Sequence, residues 1–185
     1  QPGSITVPAR LMQDFVGSLP SGTLELDVIE NRLQLKADRF DSTIHGVAAD
    51  EFPVMPTLEG GSTLEFSVAE MKQTLQQVLF AVSNDDARPV LTAVYMHAEG
   101  EKLFIAATDS YRLAEKTLKR AVGDMSLLLP SQSLQELLRS LKDDTASVQV
   151  AYDEQQARFK ILDVEIVTRL VDGQYPDYKK LLPKS

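Results

Sequence analysis

Three stretches of the chain carry apolar residues at helical spacing, and each is followed by stretches that alternate at strand spacing. Met12, Phe15, Val16 and Leu19 recur at i, i+3, i+4 and i+7, one face of a helix. Leu134, Leu137, Leu138 and Leu141 repeat that spacing. Between them Val68, Met71, Leu75, Val78, Leu79 and Val82 form a third stripe, opened by Ser67 and Glu70 at capping-box spacing. Phe80 falls on the polar side of that helix. Pro8 and Pro130 stand at the entrances of the first and third helices, where a first helical residue needs no N–H. Strands are predicted at 24–29, 33–37 and 40–47 after the first helix. They are predicted at 90–98, 102–107 and 111–117 after the second, and at 147–152, 157–162 and 164–170 after the third. Glu99-Gly100 marks one of the turns. Short strands are also predicted before each helix, at 4–6, 63–66 and 125–129.

The first and third stretches align with each other. At an offset of 122, Pro8 meets Pro130, Asp14 meets Glu136, Ser18 meets Ser140 and Leu19 meets Leu141; Phe52-Pro53 answers Tyr175-Pro176 at an offset of 123. The chain therefore reads as an α+β protein built from a β-α-β-β-β unit of about 60 residues, present three times. One helix covers only part of a sheet's apolar face, so two units are needed to close a core. Units two and three are neighbours, whereas unit one has no mate. The expectation is that the natural protein continues before Gln1, or that unit one finds its partner in another molecule.

Charge and composition narrow the function. Twenty-seven acids against 19 bases give a net charge of −8, which argues against binding nucleic acid through a broad basic footprint. A nucleic-acid role needs a local basic stripe or a hold that does not depend on affinity. The absence of cysteine excludes disulfides and thiolate sites. His45 and His97 have no second ligand at metal spacing, and Asp85-Asp86 and Asp143-Asp144 read as acidic loops. There is no glycine-rich phosphate loop and no nucleophile elbow. Binding is expected, with no catalytic residue, metal or cofactor.

Thr108-Asp109-Ser110-Tyr111-Arg112-Leu113-Ala114 and Leu170-Val171-Asp172-Gly173-Gln174-Tyr175-Pro176-Asp177-Tyr178, supported by Arg88-Pro89-Val90-Leu91-Thr92 and Val7-Pro8-Ala9-Arg10, resemble the bacterial DNA sliding clamps, the beta subunits of DNA polymerase III. The resemblance runs over essentially the whole chain. It implies the DNA-clamp fold, with antiparallel sheets outside and helices on the inner face. By it, residues 1–60 form the C-terminal half of domain one and 61–185 the complete domain two, with domain three absent. It further implies a cytoplasmic, non-catalytic processivity factor. The parent protein would be a ring-shaped homodimer around double-stranded DNA, joined through the strand at 39–47. It would tether the polymerase III catalytic subunit, the clamp loader and repair polymerases through linear motifs, with no membrane partner.

The resemblance implies a partner-peptide cleft between domains two and three, and carried over by matching motif its domain-two side comprises Leu91, Thr108, Ser110, Tyr111, Arg112, Leu113, Pro176, Lys180 and Leu181. Leucines and proline would line an apolar pocket, and Thr108 and Arg112 would hold the peptide's polar groups. The DNA-facing set is Arg10, Gln13, Lys72, Arg88, Gln132, Arg139 and Lys142. Ser110-Tyr111 replaces the family's Gly-His, Lys180 stands where arginine is common, and Pro89-Val90 where aromatics are frequent. Without the resemblance, the helix faces read as ordinary solvated surface and Thr108-Asp109-Ser110 as a tight turn. The rival functions are a peptide-binding module with no ring and a metal-dependent nuclease or transferase.

Overall fold

The computed structural model describes residues 3–55, 57–58, 61–120, 122–142 and 145–181, the side chain of Leu181 excepted. Two compact units emerge, Gln1–Met55 and Pro56–Ser185.

In the first unit, helix α1 (Ala9–Ser18) is followed by β1 (Glu25–Ile29), β2 (Arg32–Ala37) and β3 (Phe40–His45) in one antiparallel sheet of order β1-β2-β3. Pro8 is not the first helical residue but the one before it, and its carbonyl accepts from the Met12 N–H at 3.2 Å. The strand expected at 4–6 shrinks to a single bridge, Thr6 to Val47. Leu33, Leu35 and Ile44 are buried beneath Ile5, Val7, Met12, Phe15, Leu24 and Val28. The helix itself buries no residue fully, and Val16 is 42% exposed.

The second unit contains two copies of the repeat. The first runs β4 (Ser62–Ser67), α2 (Val68–Val78), β5 (Ala93–Glu99), β6 (Lys102–Thr108) and β7 (Leu113–Lys119). The second runs β8 (Ser126–Pro130), α3 (Ser131–Ser140), β9 (Ser147–Tyr152), β10 (Gln156–Ile161) and β11 (Val164–Arg169). The strand before each helix leaves its own copy. β4 pairs with β9 from Ser62↔Tyr152 to Ser67↔Ser147, and β8 pairs with β5 from Ala93↔Pro130 to His97↔Ser126. The two sheets are therefore β7-β6-β5-β8 and β11-β10-β9-β4. This exchange gives a hydrogen-bonding reason for pairing that the apolar pattern could not: each sheet gains its fourth strand from the other copy. Among the described residues the sheet of the first unit has three strands.

Helices α2 and α3 pack on each other and on both sheets. Val68, Met71, Leu75 and Val78 from α2 meet Leu134, Leu137 and Leu141 from α3, with alternate strand residues such as Met96, Ile105, Leu129, Val150 and Phe159. At roughly 1.5–3 kcal/mol for each large apolar side chain buried, this single core dominates the unit's stability. Ser67 caps α2 by accepting from the Glu70 N–H at 3.1 Å, but the Glu70 carboxylate accepts from Arg120 Nη2 at 2.8 Å, so only half of the expected capping box forms. Residues 90–92, expected as the start of a strand, fall in a 3-10 turn at 89–92, and β5 begins at Ala93.

The outer faces of the two sheets differ. On β11-β10-β9-β4, Thr63, Glu65, Gln149, Arg158 and Lys160 border a polar cavity of about 320 Å³. On β7-β6-β5-β8, Ala93, Ala106 and Leu128 are covered by the segment at 171–181, whose Tyr175 and Tyr178 are buried against them. That strap turns one sheet's outer surface into a second small core.

Candidate binding site

The turn between β6 and β7 is held by its own side chains. Asp109 Oδ1 accepts from the N–H groups of Tyr111 and Arg112, both at 2.9 Å, while Oδ2 accepts from Arg112 Nε at 2.9 Å. These bonds, the Arg112 N–H foremost and the Tyr111 N–H next, hold the Asp109 carboxyl below its ordinary pKa. Thr108 Oγ1 accepts from the Ser110 N–H at 3.1 Å and donates to the Arg112 carbonyl at 2.7 Å. Ser110 takes a left-handed conformation with φ of 78°. The result is a braced turn that presents Tyr111 at 96% exposure. Thr108 is buried, and its hydroxyl is engaged within the turn, which it helps to build.

Beside the turn, Leu91 is buried with Tyr175 and Tyr178, and Leu113 packs partly exposed against the same cluster. Pro176 and Lys180 are exposed on the strap, with Lys180 Nζ 3.0 Å from Asp177 Oδ2. The Leu181 side chain lies outside the described residues. At the start of the strap Gly173 has φ of 133°, and a Cβ there would stand 2.6 Å from Val90 Cγ1, so the chain passes where only glycine fits. Eight of the nine expected partner-site residues fall on the 3-10 turn at 89–92, the braced turn with the start of β7, and the strap, and of these Leu91 and Leu113 belong to one small apolar cluster.

Several contributors were not legible beforehand. Phe80, 57% exposed, lies under Arg112, whose guanidinium carbon is 5.7 Å from the ring centroid. Tyr175 and Tyr178 anchor the strap. The Tyr178 hydroxyl donates to Glu115 Oε2 at 2.6 Å and lies 2.9 Å from His97 Nε2. A phenol has one proton, so with that proton donated to Glu115 the Tyr178 oxygen accepts from His97 Nε2, while His97 Nδ1 lies 3.6 Å from Glu99 Oε1. His97 is buried with its ring stacked on Tyr95 at 4.5 Å and on Phe104 at 5.1 Å. Burial first, then the nearby Lys179 charge, lowers its pKa. Burial, then the hydrogen bond to Glu115, raises that of Tyr178, and burial pushes Tyr175 up to about 12. This histidine is a packed structural residue. Among the described residues no group of three or more His, Cys, Asp or Glu side chains is placed to hold a metal. Asp143 and Asp144 lie outside the described residues.

The other expected set divides by location. Helices α2 and α3 lie side by side, and their exposed positions are mostly amides: Gln73, Gln76 and Gln77 on one, Gln132 and Gln135 on the other. Ser83, Asn84, Thr92, Gln132 and Gln135 border a polar cavity of about 470 Å³ that also includes Asp86. Arg139 is exposed and paired with Glu136, Lys142 is exposed, and Lys72 is half-buried. Arg88 sits off the helices: its Nε is 3.3 Å from Asp85 Oδ2 and its Nη1 donates to Ser110 Oγ at 3.1 Å. Arg10 and Gln13 are exposed on α1 in the other unit.

Comparison with known proteins yields consistent relatives. Residues 65–177 match the family model for the DNA polymerase III beta subunit, central domain, and residues 1–56 the model for its N-terminal domain. The chain is 34% identical to the beta sliding clamp of Bacillus subtilis, with 100% of this chain and 50% of that protein aligned. It is also 34% identical to that of a Synechocystis species, covering 100% and 53%. It thus spans about half the length of the curated relatives it matches. Among solved structures, the Bacillus subtilis sliding clamp superposes with a TM-score of 0.84 at 33% identity, covering 100% of this chain and 50% of that one. A Pseudomonas aeruginosa clamp bound to griselimycin gives 0.84 at 28%, covering 100% and 51%.

Proposed function

The chain belongs to the DNA polymerase III beta subunit family, the bacterial sliding clamps, and on that premise we propose that it is part of a non-catalytic processivity factor that encircles DNA and tethers replication proteins. The observation that carries this reading is the pair of adjacent helices whose exposed faces are mostly glutamine, backed by two four-stranded sheets. Amides with few cations make weak, sequence-independent phosphate contacts. A ring that holds by topology needs no more than that, which reconciles DNA with a net charge of −8. Residues 61–185 then serve as the whole middle domain. Residues 1–60 serve as the second half of the first domain. The parent protein is a homodimeric ring in the cytoplasm. Arg10, Gln13, Lys72, Arg88, Gln132, Arg139 and Lys142 face DNA.

The domain-two side of the partner groove lies between the braced turn and the strap. Leu91 and Leu113 form its apolar floor, and Arg112, Tyr111, Ser110, Pro176, Lys180 and Leu181 meet the partner's linear motif, with Thr108 shaping the turn. Its partners are the polymerase III catalytic subunit, the clamp loader and repair polymerases. Arg112→Ala and Leu113→Ala should each weaken a ten-residue peptide from the clamp-binding segment of the replicative polymerase about tenfold or more while the fold is retained, since truncation of a central anchor typically costs over 1 kcal/mol. Unchanged affinity in both variants removes the groove assignment.

A further inference from the structure

The two segments that form the proposed groove are joined by a direct hydrogen bond. The Tyr175 hydroxyl, on the strap, accepts from the Thr108 N–H at 3.0 Å. Thr108 is the last residue of β6, and its own hydroxyl braces Ser110 and Arg112. The bond from the strap therefore ends on the residue from which the whole turn hangs. Tyr175 is buried, and its ring stacks on Tyr95 at 4.8 Å, which sets the ring plane and aims the hydroxyl. The next residue in the chain is Pro176, on the exposed side of the strap.

We propose that Tyr175 is a positioning residue for partner binding: its hydroxyl fixes the distance between the turn that carries Tyr111 and Arg112 and the strap that carries Pro176 and Lys180. The proposal rests on reading this face as the partner groove. Tyr175 touches no partner itself. Its effect passes through Thr108, whose buried N–H would otherwise lack an acceptor and pull the turn out of register.

The same strap supplies an internal control. Tyr178 is also buried, but its hydroxyl contacts His97 and Glu115 in the body of the sheet, away from the turn. Both tyrosine hydroxyls contribute to stability, and only that of Tyr175 reaches the groove. Tyr175→Phe keeps every ring contact and deletes the bond.

The test measures binding of a fluorescein-labelled ten-residue peptide from the clamp-binding segment of the replicative polymerase, by anisotropy, together with hydrogen exchange at the Thr108 amide. Tyr175→Phe should weaken the peptide about fivefold and speed exchange at Thr108, the size expected for one lost hydrogen bond. Tyr178→Phe, although comparably destabilised, should bind within about twofold of the parent chain. Parent-like binding by Tyr175→Phe, or equal weakening by both variants, overturns the inference and leaves the two tyrosines structural. Arg112→Ala and Leu113→Ala on the same peptide separate the two layers. Losses there with none in Tyr175→Phe sink only the positioning role, whereas no loss there sinks the groove itself.

Discussion

Replacing Gly173 by alanine should damage the strap in two separable ways. The residue has φ of 133°, a region that L-residues enter at a cost of about 1–3 kcal/mol. The new Cβ would also stand 2.6 Å from Val90 Cγ1, so the valine must move from its packed position. Overpacking of this kind costs about 1–3 kcal/mol, and because a single methyl yields more easily than backbone the lower end applies. Together the loss is about 2–4 kcal/mol. With a urea dependence of about 2 kcal/mol per molar, the midpoint of unfolding falls by about 1–2 M. Adding Val90→Ala removes the struck methyl. The double variant should therefore recover the packing part of the loss, about 1 kcal/mol, through a coupling term between the two sites, and keep the backbone part. A midpoint shift below about 0.3 M for the single variant would refute the account of the strap. Full recovery in the double variant would refute the backbone part alone.

Three further outcomes follow from the packing and the titrating groups. Leu137→Ala should cost about 2–5 kcal/mol, because Leu137 is fully buried between both sheets; Phe15→Ala, at the matching position of the first unit, should cost less in this chain, because Phe15 is only partly buried. The folded His97 holds its proton less tightly than the ordinary value of 6.5, so the unfolded chain binds more protons below that pH. Stability should thus fall as the pH drops through 6.5 towards the lowered folded value. His97→Gln should flatten that part of a chemical-denaturation series, with Glu99, Glu115 and Lys179 the charges that modulate it. Tyr175 shifts the other way: its contribution is present below pH 10 and lost between 10 and about 12, which an alkaline unfolding series of Tyr175→Phe against the parent chain would register.

The sequence disclosed the parts whose signal is local and periodic. The three apolar stripes became three helices, and the repeat of Pro8 and Pro130 marked two equivalent helix entrances. Period-two alternation located the strands but said nothing of their partners, so the exchange of β4 and β8 between copies was invisible. The strand breaks near 30, 38 and 162 were legible, but not that Glu30, Asp38 and Leu162 would take the left-handed conformation there, since these types signal it less strongly than Gly100. Residues 90–92 of the 3-10 turn read as strand because Val90 and Leu91 continue an apolar run. His97 looked solitary because its partner Tyr178 is 81 residues away. Phe80 looked misplaced because Arg112, which covers it, comes from another element. The site motifs singled out the turn and the strap, yet they did not distinguish Arg112, which is exposed, from Thr108, whose hydroxyl is engaged in the turn.

The central claim is that this chain belongs to a ring that keeps hold of DNA by enclosing it. The most direct measurement loads the complete parent protein onto nicked circular DNA and follows co-elution through a sizing column in high salt, before and after a single linearising cut. Retention on the circle and release within minutes of the cut is the predicted result. Equal retention on circular and linear DNA, or none on either at low salt, would contradict it.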